Sequence, residues 1–252
     1  NSPIFAGANR DFVQCVYTDS RGKLWIGSEV SLAEAEYRAG KLHLLRSFPI
    51  RAVTLCEDGM GRIWAGTARN GAYIITPGDS APVNLLVIPA AESNNITRII
   101  RGDAGEMLLS AFSMGVFRVD EKTLHPYPLV CGGMPARLET SVVTMNYDRE
   151  RRRLWLGAYG SGLGLFDRER GAAHFYGRSE GLPSNDILGI ERSDDLIWIS
   201  TSYGISRFDP DRNVFLNFFD DDGTGGNQFH EKSSFRDRGG NLCFGGNHGL
   251  TR

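Results

Sequence analysis

Amide, aromatic and charged side chains recur in two kinds of loop in this 252-residue sequence. One kind follows a short segment that ends in Gly with Ser, Thr or Ala, and the other connects one repeated unit to the next. These side chains suit a sugar, because amides and carboxylates bond to hydroxyl groups and aromatic rings stack on C–H faces. The candidate ligand-binding residues are Glu29, Arg69, Asn70, Asn95, Tyr159, Asn185, Asp186, Tyr203, Asn227, Gln228 and His248.

Turn chemistry offers a second interpretation of the same residues. Asn, Asp and Gly are also the residues that tight turns require, since they tolerate unusual backbone angles and bond to nearby amides. Any single candidate is explained by a turn. The ligand hypothesis therefore depends on the whole set, and on the elements that would bring its members together.

A repeat of about 40 residues supplies those elements. Each copy reads as a carboxylate turn, a glycine, and then apolar, Trp, apolar, Gly and Ser or Thr, most clearly at residues 19–28 and 58–67. Successive Trp positions are 39, 44, 47, 43 and 45 residues apart. That position is occupied by Trp25, Trp64, Leu108, Trp155, Trp198 and Cys243.

Each repeat contains four strand-length segments. In the fifth repeat they are residues 187–190, 197–201, 204–208 and 214–219, rich in β-branched and aromatic residues and bounded by turn residues. Four sequential strands repeated at this period are typical of a β-propeller. The sequence predicts an all-β chain, with residues 1–252 forming a single propeller domain of four-stranded blades and six visible repeats.

The repeated Trp is expected in the core between neighbouring blades, since an indole buries a large apolar area. The sixth repeat has two strands and the start of a third. Residues 3–6 could supply its missing outer strand, which predicts a six-bladed ring closed by the amino terminus. An incomplete seven-bladed ring remains the alternative.

Composition excludes several function classes. The net charge is −2 with a pI of about 6.2, and no basic stripe is present, so nucleic acid is not an expected partner. No apolar run reaches the roughly 20 residues of a membrane span. The four cysteines lack metal-ligand spacing, which leaves a disulfide open. Residues 220–231 are interpreted as an acidic turn rather than a calcium loop, and no cofactor or metal is expected.

The repeat resembles a known family. Residues 58–67, 153–167 and 198–210 are similar to the two-component regulator propeller, found in periplasmic sensor regions of bacterial hybrid histidine kinases, especially those of gut Bacteroidetes. The resemblance covers essentially the whole chain, and residues 180–185 resemble the family's link between blades. Residues 227–229 and 240–246 resemble its terminal blade, which precedes an immunoglobulin-like domain and a membrane span.

The resemblance implies a sensor and not an enzyme. It predicts a periplasmic ligand-binding propeller of a membrane-anchored, homodimeric hybrid two-component histidine kinase, with kinase chemistry and phosphorelay elsewhere in the parent chain. The expected signal is an oligosaccharide from glycan breakdown. One alternative is an enzyme similar to streptogramin lyases, with a metal held near His230, Glu231 and His248. Another is a structural or dimerisation propeller that binds no ligand.

Overall fold

The structure is a computed structural model that describes residues 12–87, 94–129 and 141–252. The described residues form six antiparallel sheets. Five of them have four strands, and the sixth along the chain has three. Consecutive strands pair in each sheet, which is the blade architecture of a β-propeller. The predicted fold class, the six blades and the three-stranded sixth blade are confirmed. The proposed closing strand at residues 3–6 lies outside the described residues.

Two compact units divide the chain. Unit 1 is Asn1–Ala111 with Val116–Pro128, and its described strands form blades one to three. Its strands are β1 Val13–Thr18, β2 Leu24–Ser28, β3 Leu32–Arg38, β4 Lys41–Phe48, β5 Ala52–Glu57, β6 Ile63–Thr67, β7 Ala72–Ile75, β8 Val83–Leu85, β9 Ile96–Arg101, β10 Glu106–Ala111, β11 Gly115–Asp120 and β12 Pro126–Pro128.

Unit 2 is Phe112–Gly115 with Leu129–Arg252 and contains blades four to six. Short 3-10 turns at Arg178–Glu180 and Asp220–Asp222 lie in the links that lead to blades five and six. Its strands are β13 Val142–Asp148, β14 Arg153–Ala158, β15 Gly162–Asp167, β16 Ala172–Tyr176, β17 Ile187–Ser193, β18 Leu196–Thr201, β19 Ile205–Asp209, β20 Val214–Phe218, β21 Phe229–Arg236, β22 Leu242–Gly246 and β23 Gly249–Thr251.

The repeated Trp position forms the core between neighbouring blades, as predicted. Trp25, Trp64 and Trp155 are almost completely buried, and so is Leu108. Trp25 packs into a cluster with residues of blade two, and Trp155 packs with residues of blade five. Blades one and four therefore complete their cores against the following blade of the same unit.

Glycines set the spacing of the strands around this core. A Cβ atom on Gly66 would lie 2.6 Å from the Thr54 side chain and 2.8 Å from that of Ile96. Only glycine lets blades two and three approach this closely. Gly204 starts the third strand of blade five with φ of 88°, a backbone angle that favours glycine.

Buried carboxylates join the first turn of a blade to its Trp. Asp58 accepts hydrogen bonds from the amides of Met60 and Arg62, both at 2.9 Å. Its second oxygen accepts one from the Trp64 indole at 2.8 Å and one from the Arg62 guanidinium at 2.6 Å. One side chain thus holds the turn, the indole and a cation together.

Asp19 makes the same contacts in blade one. Its carboxylate accepts bonds from the Trp25 indole at 3.1 Å, from the Lys23 amide at 2.8 Å and from the Arg21 side chain. Burial by itself raises the pKa of Asp19, but these hydrogen bonds outweigh it and hold the pKa below its ordinary value of 3.8.

The cysteines that the structure describes lie on strands, as expected. Cys15, Cys56 and Cys243 lie on β1, β5 and β22, and Cys131 lies outside the described residues. Burial raises the pKa of the Cys56 thiol to about 11, so it stays protonated at neutral pH.

The repeated Trp of blade five is less buried than those of blades one, two and four. Trp198 is only half-buried and borders a cavity of about 580 Å³ with Phe218, Leu242 and Phe244. In blade five Ile197 pairs with Phe208, which packs against Trp155. Leu242 occupies the matching register position in blade six and lines the Trp198 cavity.

Replacing Trp64 with Ala should lower the free energy of unfolding by about 3–5 kcal/mol, because it leaves a cavity and removes a buried indole. Trp198→Ala is the matched control and should lower the free energy of unfolding by less than about 3 kcal/mol, since Trp198 is already half-exposed. Urea unfolding followed by circular dichroism measures both. Equal losses would contradict the difference in packing.

Asp19→Asn keeps the shape of the turn and removes the charge that the indole and Arg21 bind. We expect the free energy of unfolding to fall by about 1–3 kcal/mol at neutral pH, which is the usual contribution of hydrogen bonds to a charged group. Since folding lowers the pKa of Asp19, the wild-type advantage is full above pH 3.8 and disappears as the pH falls through the folded-state value. Urea unfolding between pH 7 and pH 3 measures this dependence.

The control for that experiment is Asp195→Asn, which breaks an exposed ion pair with Arg151. Such pairs contribute at most about 1 kcal/mol. A wild-type advantage over Asp19→Asn that stays constant down to pH 3 would show that the charge of Asp19 does not stabilise the fold.

Candidate functional site

Antiparallel pairing places two kinds of loop at the same end of each blade. The loop after the second strand meets the link that leads to the next blade's first strand. In unit 2 we call this the loop end. It comprises residues 158–162, 201–205 and 246–249 of the second-strand loops and residues 177–187 and 219–229 of the links.

Asparagines fix the links with their backbone and side chains. The Asn185 carbonyl accepts a bond from the Gly162 amide at 2.9 Å, and its side-chain oxygen accepts one from the Arg178 amide at 2.9 Å. Asn227 bonds in the same way to Gly204 and Asp220. The side-chain oxygens of Asn185 and Asn227 are therefore already used in hydrogen bonds that stabilise the links.

Asp186 follows the first of these asparagines and lies at the centre of the loop end. Its carboxylate accepts a bond from the Gly160 amide at 2.8 Å and a longer one from the Ser202 hydroxyl at 3.4 Å. Ser202 also shares a hydrogen bond of 2.7 Å with Ser184. The structure thus brings a carboxylate and two hydroxyl groups together between blades four and five.

Tyr159 joins this group to blade six. Its hydroxyl donates a hydrogen bond to the Glu231 carboxylate on β21. Burial, this hydrogen bond and the charges of Glu231 and Asp186 all raise the pKa of Tyr159 well above its ordinary value. The phenol therefore stays neutral and can donate. We call Tyr159, Ser184, Asp186, Ser202 and Glu231 the polar cluster.

Three further candidates lie at the rim of this end. Tyr203 is next to Ser202 in the chain, is 54% exposed, and packs against Phe219 with ring centroids 5.4 Å apart. Gln228 is exposed, and its side-chain oxygen accepts a bond from the Asn247 amide group. His248 is exposed on the neighbouring loop.

Unit 1 contains the remaining four candidates. Glu29 is exposed and borders a cavity of about 430 Å³ with Gln14 and Arg51. Arg69 and Asn70 are exposed and bond through their backbone to Asn94 and Thr67. Asn95 is half-buried and follows Asn94, the unit 1 counterpart of Asn185, whose carbonyl accepts a bond from Gly71.

The metal ligands that the lyase alternative requires do not converge. Among the residues that the structure describes, no three His, Cys, Asp or Glu side chains are close enough to hold a metal ion, and His230, Glu231 and His248 are among them. Residues 220–231 begin with a 3-10 turn in which Asp222 caps the Phe219 amide. The acidic-turn interpretation of residues 220–231 stays a prediction. Within the described ranges, no helix has the length and apolar character of a membrane span.

Sequence reasoning did not propose Ser184, Ser202 or Glu231 as ligand-binding residues. Ser202 occupies the same position in its loop as Tyr159, because its amide bonds to the Asp186 carbonyl as the Tyr159 amide bonds to Ser141. Aligning the loops by strand register would have identified Ser202. Glu231 comes from the next blade, and the sequence carries no signal for its contact with Tyr159.

Comparison with known proteins supports the family assignment. The family model described as "Two component regulator propeller" matches residues 7–29, which contain the first repeat's Trp motif. This confirms the resemblance. Comparison with curated proteins gives no match.

Two solved structures share the fold. The extracellular domain of a hybrid two-component system from B. thetaiotaomicron is 18% identical with a TM-score of 0.58, and covers 96% of this chain. The extracellular domain of a one-component system from the same organism is 17% identical with a TM-score of 0.72, and covers 94%. The chain spans 39% and 33% of those two chains, respectively.

Tyr159→Phe should remove one tyrosine that ionises late in a titration followed by absorbance of the phenolate near 295 nm. The wild-type protein has eight tyrosines, and the pKa values of Tyr17 and Tyr176 are also raised. Glu231→Gln should make one late tyrosine ionise earlier, because it removes a negative charge beside the phenol. If the tyrosine lost in Tyr159→Phe is one that ionises in the ordinary range, and Glu231→Gln leaves every late tyrosine unchanged, the Tyr159–Glu231 contact is contradicted.

Proposed function

We propose that this chain is an extracytoplasmic sensor propeller of a two-component regulator, and that it binds an oligosaccharide at the loop end of unit 2. The single observation that carries the binding proposal is the polar cluster. Its hydroxyl, carboxylate and aromatic groups come from three successive blades. These are the groups with which proteins bind sugar hydroxyls and sugar C–H faces.

The sensor context is supported by the family match and by the two solved structures, which are extracellular domains of regulatory systems. By analogy with those proteins, we infer a periplasmic location and a membrane-anchored, homodimeric parent kinase. The phosphorelay chemistry is then carried by other domains. This propeller contributes recognition and no catalytic step.

The arrangement of the cluster indicates how binding could be sensed. Tyr159 belongs to blade four, Asp186 and Ser202 to the link and loop of blade five, and Glu231 to blade six. A ligand that bonds to all of them connects three blades. Because such a ligand binds only the folded arrangement, it stabilises the unit and reduces motion between its blades.

A second candidate function is a structural propeller that associates with another β-sheet. Val13 and Val16 on β1 are 48% and 58% exposed. Ala52 pairs with Thr67 at the same register position as Val13, and Leu55 corresponds to Val16, yet both are buried. In blade two these positions pack with Trp25 of blade one, and in the structural candidate a partner sheet packs on Val13 and Val16 in the same way.

A thermal-shift screen of the purified chain against a panel of oligosaccharides tests the proposal. A bound sugar should raise the melting temperature with increasing concentration, since it binds the folded state. Tyr159→Ala and Tyr203→Ala should each weaken binding by about tenfold or more, which corresponds to the loss of roughly 1.4 kcal/mol. Isothermal titration calorimetry measures the affinities.

Tyr37→Ala is the matched control, because Tyr37 is 71% exposed on β3 and belongs to none of the loops and links that form the loop end of unit 2. It should leave the sugar affinity unchanged. If no sugar raises the melting temperature, the binding proposal fails and the structural candidate is favoured.

A further inference from the structure

Two carboxylates dominate the charge of the polar cluster. The Asp186 carboxylate is held by the Gly160 amide and the Ser202 hydroxyl, and the Glu231 carboxylate is held by the Tyr159 hydroxyl. All of these donors are uncharged groups. Each carboxylate therefore keeps its negative charge uncompensated by its hydrogen-bond partners.

No cation of the described residues forms an ion pair with either carboxylate, and Arg178 is the one Lys or Arg in the described loops and links of the loop end. Further negative charge comes from Asp220–Asp222 in the link that leads to blade six. The loop end of unit 2 thus has an excess of carboxylates.

Unit 1 has a different charge balance at its candidate residues. Its cavity is bordered by Glu29 and Arg51, and Arg69 is exposed beside it. The carboxylate excess is therefore a property of the loop end of unit 2. It is not shared by every set of candidate loops in the chain.

We propose that Asp186 and Glu231 select oligosaccharides whose sugars are neutral or carry an amino group, and exclude uronic acids and sulfated sugars. This inference rests on the proposed function. A carboxylate or sulfate group of a ligand would lose hydration and meet like charges at short range, which weakens binding. Hydroxyl and ammonium groups can donate hydrogen bonds to the same oxygens.

The positions of Asp186 and Glu231 bring a bound ligand close to both carboxylates. The two carboxylates come from different blades and both bond to the loop of Tyr159, since Glu231 accepts from the Tyr159 hydroxyl and Asp186 accepts from the Gly160 amide. A ligand that reaches the Tyr159 ring therefore comes close to both negative groups. A charged ligand cannot avoid one carboxylate by shifting toward the other.

The test compares oligosaccharides that differ only in charge. The panel contains glucose, glucosamine and glucuronate oligomers of one linkage, together with the corresponding galactose series and sulfated members of both. Calorimetry on the whole chain measures each affinity. We expect a neutral or amino-bearing member to bind, and its uronate or sulfated counterpart to bind at least about tenfold more weakly.

Two variants assign the selection to the proposed residues. Asp186→Asn and Glu231→Gln preserve the shape of the site and remove one charge each, so the ratio between neutral and uronate affinities should fall by about threefold to tenfold in either variant. Glu169→Gln is the matched control, since Glu169 is an exposed carboxylate in the turn between β15 and β16. It should leave the ratio unchanged.

The outcomes separate the two proposals. If a uronate or sulfated oligomer binds best, or if both variants leave the ratio unchanged, the charge-selection proposal is overturned and sugar binding stands. If no member of the panel binds, the proposed function fails and this inference fails with it. Circular dichroism of each variant confirms that a lost affinity does not come from unfolding.

Discussion

Blades one and two depend on a buried carboxylate that bonds to the indole of the repeated Trp, Asp19 to Trp25 and Asp58 to Trp64. In blade two Asp58 closes a turn, binds the Trp64 indole and pairs with Arg62. Because the indole belongs to the core shared with the next blade, the bond ties a local turn to a contact between blades. The local and the long-range parts of the fold are thus stabilised by the same side chain.

Other polar contacts extend this arrangement from blade to blade. Ser20 bonds to Glu57 with both its amide and its hydroxyl, at 2.8 and 2.7 Å. In blade four Asp148 pairs with Arg192 of blade five at 2.5 Å. Each blade is anchored at its turn end by polar bonds, which leaves the opposite end available for loops that vary in sequence.

Much of the fold could be predicted from the sequence, because its repeat encodes strands, turns and core in each copy. The burial of Trp64 and the positive φ of Gly204 follow directly from their place in the repeat. Trp198 is the exception, since its burial depends on what the following blade supplies and not on its own repeat. The residue pattern of one repeat determines the strands and turns of its blade, but how completely a side chain is buried depends on the residues of the neighbouring blade.

The candidate site was predicted less completely. The sequence placed the candidates in the second-strand loops and the links, yet it did not distinguish Asn185, which fixes a link, from Asp186, which belongs to the polar cluster one residue later. That distinction depends on which side chain is used by the turn. The contact between Tyr159 and Glu231 joins residues 72 positions apart, so it depends on the way blades four and six are brought together in unit 2.

The half-buried Trp198 and its cavity also influence how the molecule opens. A contact with fewer packed atoms opens at lower cost, so the amide hydrogens beside the Trp198 cavity should exchange with solvent earlier than those beside the buried Trp155. Glu231 lies on β21 of blade six. A sugar bound at the loop end as proposed would join blade six to blades four and five, and would therefore act as a clamp on this contact.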